Sequence, residues 1–168
     1  LELMRSVSDR EDLPVWFQLY LAEAYAANQN FETANSLLSE HQQMFEQAPQ
    51  YYLTQGSIAL AAGDTAKARN DLLTALKKGA ASRQVYSRLT RLYQQAGNYE
   101  KALEYLNQNI AAHPTSVSLK GRKAELLATM GNQKEALSTL KNILATGPLS
   151  GPEERLALLE EISLTYAM

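Results

Sequence analysis

Small and large apolar residues recur along this chain at a fixed spacing of 34 positions. Ala34, Ala68, Ala102 and Ala136 form one series, and Leu38, Leu72, Leu106 and Leu140 follow each alanine by four residues. Residues four apart lie on one face of a helix. A small residue beside a leucine on that face is what two closely packed helices require. A second series precedes the first. Ala22, Gly56, Thr90 and Ala124 are small, and Tyr25, Ala59, Tyr93 and Leu127, three residues on, are mostly large. Between the two series the polarity is punctuated, in "AANQNFETAN", "LAAGDTAKAR", "QQAGNYEKAL" and "ATMGNQKEAL". Gly63, Gly97 and Gly131 end a helical run, where a left-handed residue is needed and glycine supplies it without steric cost. Gln29 stands in that place in the first copy, a departure that sets its turn apart. Asn30, Asp64, Asn98 or Asn132 comes next, a side chain able to accept from the free amides of the following helix. Glu135, three residues after Asn132, approaches a capping-box pattern.

Each copy therefore reads as helix, turn, helix. The pattern predicts helices over 14–27, 31–46, 48–62, 65–78, 82–96, 99–112, 116–130 and 133–146. Pro114 and Pro148 close the third and fourth copies, since a helix cannot continue through them. A ninth helix is expected over 152–167. It opens on Ser150, Pro152, Glu153 and Glu154, with carboxylates near the positive end of the helix dipole. Its apolar series Leu156, Leu159, Ile162 and Tyr166 marks a packed flank. Residues 1–13 read as the tail of a preceding helix or a lead-in, and 149–168 as a capping helix or the start of a fifth copy. Both ends suggest a piece of a longer array.

Taken together, these positions resemble the tetratricopeptide repeat family, whose 34-residue helix–turn–helix units carry the same small, aromatic, alanine and proline positions. The resemblance spans roughly Pro14 to Pro148. It implies an all-α fold, a right-handed α–α superhelix (solenoid) of about four repeats at 14–47, 48–81, 82–115 and 116–148, plus the C-terminal helix. Some positions depart from the family pattern. Gln55 and Lys123 replace a large apolar residue, Lys120 replaces an aromatic, and His41 and Asn109 stand where alanine is usual.

Composition narrows the function classes. The formal net charge is −2 over 168 residues, so no overall basic field points to nucleic acid or a membrane surface. There is no cysteine, which removes disulfides and thiolate metal sites. No apolar run reaches the ~18 residues that would span a bilayer. The charge is unevenly placed: net −6 over residues 1–50, +7 over 51–146 and −3 over the last 22.

Catalytic chemistry has little to build on. His41 and His113 are the only histidines, and neither has a carboxylate or second histidine at ligand spacing. The glycines follow the repeat, so none forms a phosphate loop. The Glu153/Glu154 and Glu160/Glu161 pairs read as helix-start charge and a solvated face. The expectation is a non-enzymatic protein with no catalytic residue, cofactor or metal.

In the resembled family the first helix of each pair lines a concave groove that binds peptides or a partner's helix. That likeness places Trp16, Leu19, Tyr20 and Glu23 on the groove in the first unit, and Gln50, Leu53, Thr54, Ser57 and Leu60 in the second. Gln84, Ser87, Arg88, Arg91, Gln94 and Gln95 follow in the third, then Ser118, Gly121, Arg122 and Glu125 in the fourth. Of these, Trp16, Tyr20, Gln84, Arg88, Arg91, Gln94 and Arg122 are the expected partner contacts. Leu19, Glu23 and Thr54 occupy places where family members that grip a chaperone's C-terminal carboxylate carry lysine and asparagines, so that clamp is missing. Arg88 and Arg122 match the place of a clamp arginine. The function expected is a protein-interaction scaffold for a peptide or partner carrying an acidic segment, within a larger assembly or secretion protein. The alternative is a structural spacer that self-associates through Leu1, Met4, Trp16 and the last helix. Helical-pair RNA repeats have a similar length, but the acidity and the alanine pattern argue against nucleic acid.

Overall fold

A computed structural model describes residues 14–146 and, beyond them, Gly151, Glu153, Arg155, residues 157–160 and Ile162. The described residues form helices and turns, with no strand among them. In chain order the helices are α1 (Val15–Ala27), α2 (Phe31–Glu40), α3 (Gln42–Phe45), α4 (Pro49–Ala61), α5 (Thr65–Lys77), α6 (Arg83–Gln95), α7 (Tyr99–Ala112), α8 (Val117–Thr129) and α9 (Gln133–Thr146). The expected lead-in over 1–13 lies outside the described residues. So do Pro148, Leu156 and Tyr166.

Each turn is built as its residues dictate. Gly63, Gly97 and Gly131 have φ of 80°, 71° and 80°. Gln29 takes the same left-handed turn, at φ 62°, so the first corner keeps its geometry without glycine. The next helix is then capped by a side chain. Asn30 accepts from the Thr33 amide at 3.2 Å, Asp64 from Lys67 at 2.9 Å and Asn98 from Lys101 at 3.1 Å. Such caps satisfy amides that would otherwise lack a partner.

The chain divides into two compact units after Ala81. In the first, α1 packs on α2 and α4 packs on α5, while α4 also lies against α1 and α2. Its core gathers Leu21, Ala22 and Tyr25 with Ala34, Leu38, Phe45, Tyr51 and Ile58. Gly56 allows the close approach of α4 and α5: a Cβ there would come within 3.1 Å of Leu72, which is fully buried. In the second unit α6 packs on α7, α7 on α8 and α8 on α9. Leu119 and Leu126 of α8 meet Ala102 and Leu106 of α7. On its other side, Ala124 and Leu127 meet Ala136, Leu140 and Ile143 of α9, joined by Leu158 and Ile162.

The second helix of the first pair departs from its expected span. It breaks at His41, whose backbone (φ −107°, ψ 9°) leaves the helical region, and restarts as the single turn α3. The break brings Phe45 against Tyr51, their rings 6.3 Å apart and nearly parallel. The C-terminal segment also corrects an expectation. Ile162 is buried as expected, but Leu159 is exposed and Leu158 is buried in its stead.

Candidate functional site

The faces that α6 and α8 leave uncovered follow from their core positions. Val85, Leu89, Thr90 and Leu92 bury one side of α6. Gln84, Arg91 and Gln95 lie opposite and are exposed, with Arg88 and Gln94 half-buried at the margins. On α8 the buried residues are Leu119, Ala124, Leu126 and Leu127, which leaves Ser118 and Glu125 exposed and Arg122 half-buried. Arg83 Nη2 donates to Ser116 Oγ at 3.3 Å, which brings the N-terminal ends of α6 and α8 together. Ser116 is also the N-cap of α8, accepting from the Leu119 amide at 3.4 Å. Arg88 and Arg91, three apart, share a face of α6. Arg122 is the equivalent of Arg88 on α8. Glu125, three residues beyond it, is the acidic residue on the same face.

Several positions expected on the groove are committed elsewhere. Leu19 is buried in the core of the first unit, because the face of α1 that carries it is covered. Thr54 is fully buried, and its hydroxyl donates to Glu23 Oε1 at 3.0 Å, tying α4 to α1. Ser87 Oγ accepts from Asn109 Nδ2 at 3.0 Å, and that amide also reaches the Arg83 carbonyl at 3.3 Å. Asn109 thus fastens α7 to α6, a polar tie where alanine would only fill space. Gln55, another departure, donates to the Tyr51 hydroxyl at 2.9 Å. The Gln55 bond is a one-turn contact within α4, whereas sequence periodicity alone could not find the Thr54 and Asn109 ties, since they depend on which side chain faces which across two helices.

The aromatic end of the expected contact set is open to solvent. Trp16 and Tyr20 are 57% and 59% exposed, and their rings meet edge to face at 5.8 Å. Trp16 also contacts Phe17 edge to face.

Titratable groups offer little chemistry of their own. Burial pushes the Tyr51 and Tyr105 phenols up, so both stay neutral hydrogen-bonding groups near neutral pH. His41 Nδ1 lies 2.9 Å from the Leu37 carbonyl, as part of the end of α2. No group of three or more His, Cys, Asp or Glu that could hold a metal occurs among the described residues. No described helix is long and apolar enough to cross a membrane.

Comparison with known proteins agrees with this architecture. Two family models, each described as "Tetratricopeptide repeat", match residues 53–117 and 95–159. No curated protein matches the chain. Solved structures do. YrrB, described as a TPR protein with an unusual peptide-binding site, is 14% identical with a TM-score of 0.69, over 98% of this chain and 92% of its own. A tetratricopeptide repeat protein from Parabacteroides merdae is 19% identical with a TM-score of 0.71, over 91% of this chain and 61% of its own. A thermophilic TPR protein of Thermus thermophilus is 17% identical with a TM-score of 0.59, over 99% and 89%. At these identities the likeness shows the fold, which is of the all-α, α–α superhelical class. With the 34-residue period, the capped left-handed turns and both family matches in agreement, this chain belongs to the tetratricopeptide repeat family.

Proposed function

We propose that the protein is a non-enzymatic interaction scaffold and that its second unit binds an acidic peptide or C-terminal carboxylate. Arg88, Arg91 and Arg122 make the contact. What supports this reading is that Arg91 is exposed and Arg88 and Arg122 are half-buried at equivalent faces of α6 and α8, with exposed Gln84 and half-buried Gln94 beside them on α6. Guanidinium holds a carboxylate by paired hydrogen bonds, which gives geometric selectivity as well as charge. Glutamine amides beside it suit the backbone of a bound peptide. Glu125 on the same face lowers the local charge by one and favours a short acidic motif over a long polyanion. The peptide-binding site described for YrrB is a precedent within the fold.

The test is a panel of acidic C-terminal peptides titrated against the protein by fluorescence anisotropy. Arg91→Glu with Arg122→Glu is expected to weaken the best binder by tenfold or more, about 1.4 kcal/mol. Far-UV circular dichroism and the melting temperature should hardly change. Lys101→Glu with Lys134→Glu is the control, since both lysines are exposed on α7 and α9. Equal loss in both double variants would reduce the site to general charge.

A second reading rests on the exposed Trp16–Tyr20 pair. Aromatic side chains of this kind are favoured at interfaces, and here they would support self-association as a spacer. Leu1 and Met4, the other residues expected in that contact, lie outside the described residues. Sedimentation velocity across a hundredfold concentration range separates the readings. A constant monomer excludes self-association, whereas growth that Trp16→Ala abolishes supports it.

A further inference from the structure

A second pair of basic side chains lies further around α8 from Arg122. Lys120 is two residues from Arg122, which puts it about 200° around the helix axis. Lys123 lies one turn from Lys120 on the same side. Both are half-buried. They floor a groove of about 390 Å³ walled by α7 and α9, where Asn107, Ser138, Asn142 and Glu135 add polar groups. Ile110 supplies an apolar edge.

In the tetratricopeptide repeat pattern an aromatic residue is common at the place of Lys120 and a large apolar one at that of Lys123, so both lysines depart from it, and a groove opens beside their side chains. Their charges are poorly answered within the protein. Lys123 Nζ lies 3.6 Å from Glu135 Oε1, a long contact to a carboxylate side chain that is 60% exposed. Lys120 makes no ion pair among the described residues. Two ammonium groups one helical turn apart, with a single long contact to a carboxylate, can take up an added anion.

We propose that this groove binds the phosphate monoester of a small molecule. Lysine is a point-charge ligand for phosphate, and two of them one turn apart can share its oxygens. Ser138, Asn107 and Asn142 line the groove, and their hydroxyl and amide groups can bond the rest of the molecule. The groove volume suits a ligand of that size, since small-molecule sites begin near ~300 Å³. Glu135 acts as a weak competitor that swings out as the anion enters. The site is distinct from the arginine face, because its groove opens between α7, α8 and α9 and is not lined by Arg88, Arg91 or Arg122.

The test is melting of the whole chain in sodium phosphate against sodium chloride at equal ionic strength, with parallel titration by inorganic phosphate followed in amide NMR spectra. Glucose 6-phosphate and a phosphoserine peptide serve as further probes. The parent should gain several degrees more in phosphate than the variant Lys120→Phe with Lys123→Leu, which removes the non-specific effect of phosphate as a stabilising salt. That variant should itself melt above the parent in chloride, because it restores the apolar pattern. Shifts should centre on Ser138, Asn142 and the Lys120 turn, and Glu135→Gln should tighten binding severalfold. Glucose 6-phosphate should bind more tightly than inorganic phosphate. Equal phosphate gains in parent and double variant, or no shifts in the groove, would overturn the site. Binding of the phosphopeptide alone would overturn the small-molecule assignment.

Discussion

At the scale of single residues, the corners of the repeat make the sharpest claims. Gly97 holds φ at 71° with open space where a Cβ would go, so its cost on substitution is conformational and not steric. Gly97→Val should lower stability by about 1–2 kcal/mol, because a β-branched residue resists the left-handed region. Gln29 pays the same strain in the parent, at φ 62°. Gln29→Gly should therefore leave the melting temperature unchanged or raise it. Thermal melts of the two variants check both. A Gly97→Val protein that melts with the parent would contradict the account of the turn. Glycine, asparagine and aspartate announced these corners because their conformational roles are local. The left-handed Gly79, φ 99°, passed unnoticed because it lies between copies, where no recurring pattern marks it.

Whole elements were legible where a buried stripe repeats, and less so where one contact decides. Ala34, Ala68, Ala102 and Ala136 are all fully buried, each beside its buried leucine. Helix α2 stops at Glu40, and beyond the bend at His41 Phe45 is buried against Tyr51, a pairing that no periodicity in the sequence encodes. Leu19 lies in line with buried Ala22 and Ala26, and Thr54 with buried Tyr51 and Ile58, on faces that α1 and α4 cover for each other, a contact between successive copies that the pattern within one copy does not show. The packing phase itself can be tested. Ala102→Leu should destabilise the protein by roughly 1–3 kcal/mol through overpacking between α7 and α8. Glu104→Leu, at an exposed position on α7, removes only an exposed pair with Lys101 and should cost under about 1 kcal/mol. Urea denaturation of both variants measures the difference. Equal midpoints would show that the helix faces are misassigned.

At the scale of the molecule, the repeats set out surface, and the function proposed for it lies in side chains that the repeat itself does not need. The arginine face was readable in part, since position within a 34-residue copy predicts which residues look outward. Structure adds which of them are free to do so: Arg91 and Gln84 are exposed, whereas Ser87 is held by Asn109. A carboxylate bound there is screened over roughly 8–10 Å, so binding should weaken steadily as salt is raised. Contacts made mainly through Trp16 and Tyr20 would be nearly indifferent to salt. The most direct measurement is amide NMR mapping of the best acidic peptide on the isotopically labelled protein. The proposed function predicts shifts concentrated on α6 and α8 at Gln84, Arg88, Arg91 and Arg122, lost with Arg91→Glu and Arg122→Glu. Shifts concentrated on α1 around Trp16 and Tyr20, and unchanged by those substitutions, would contradict it.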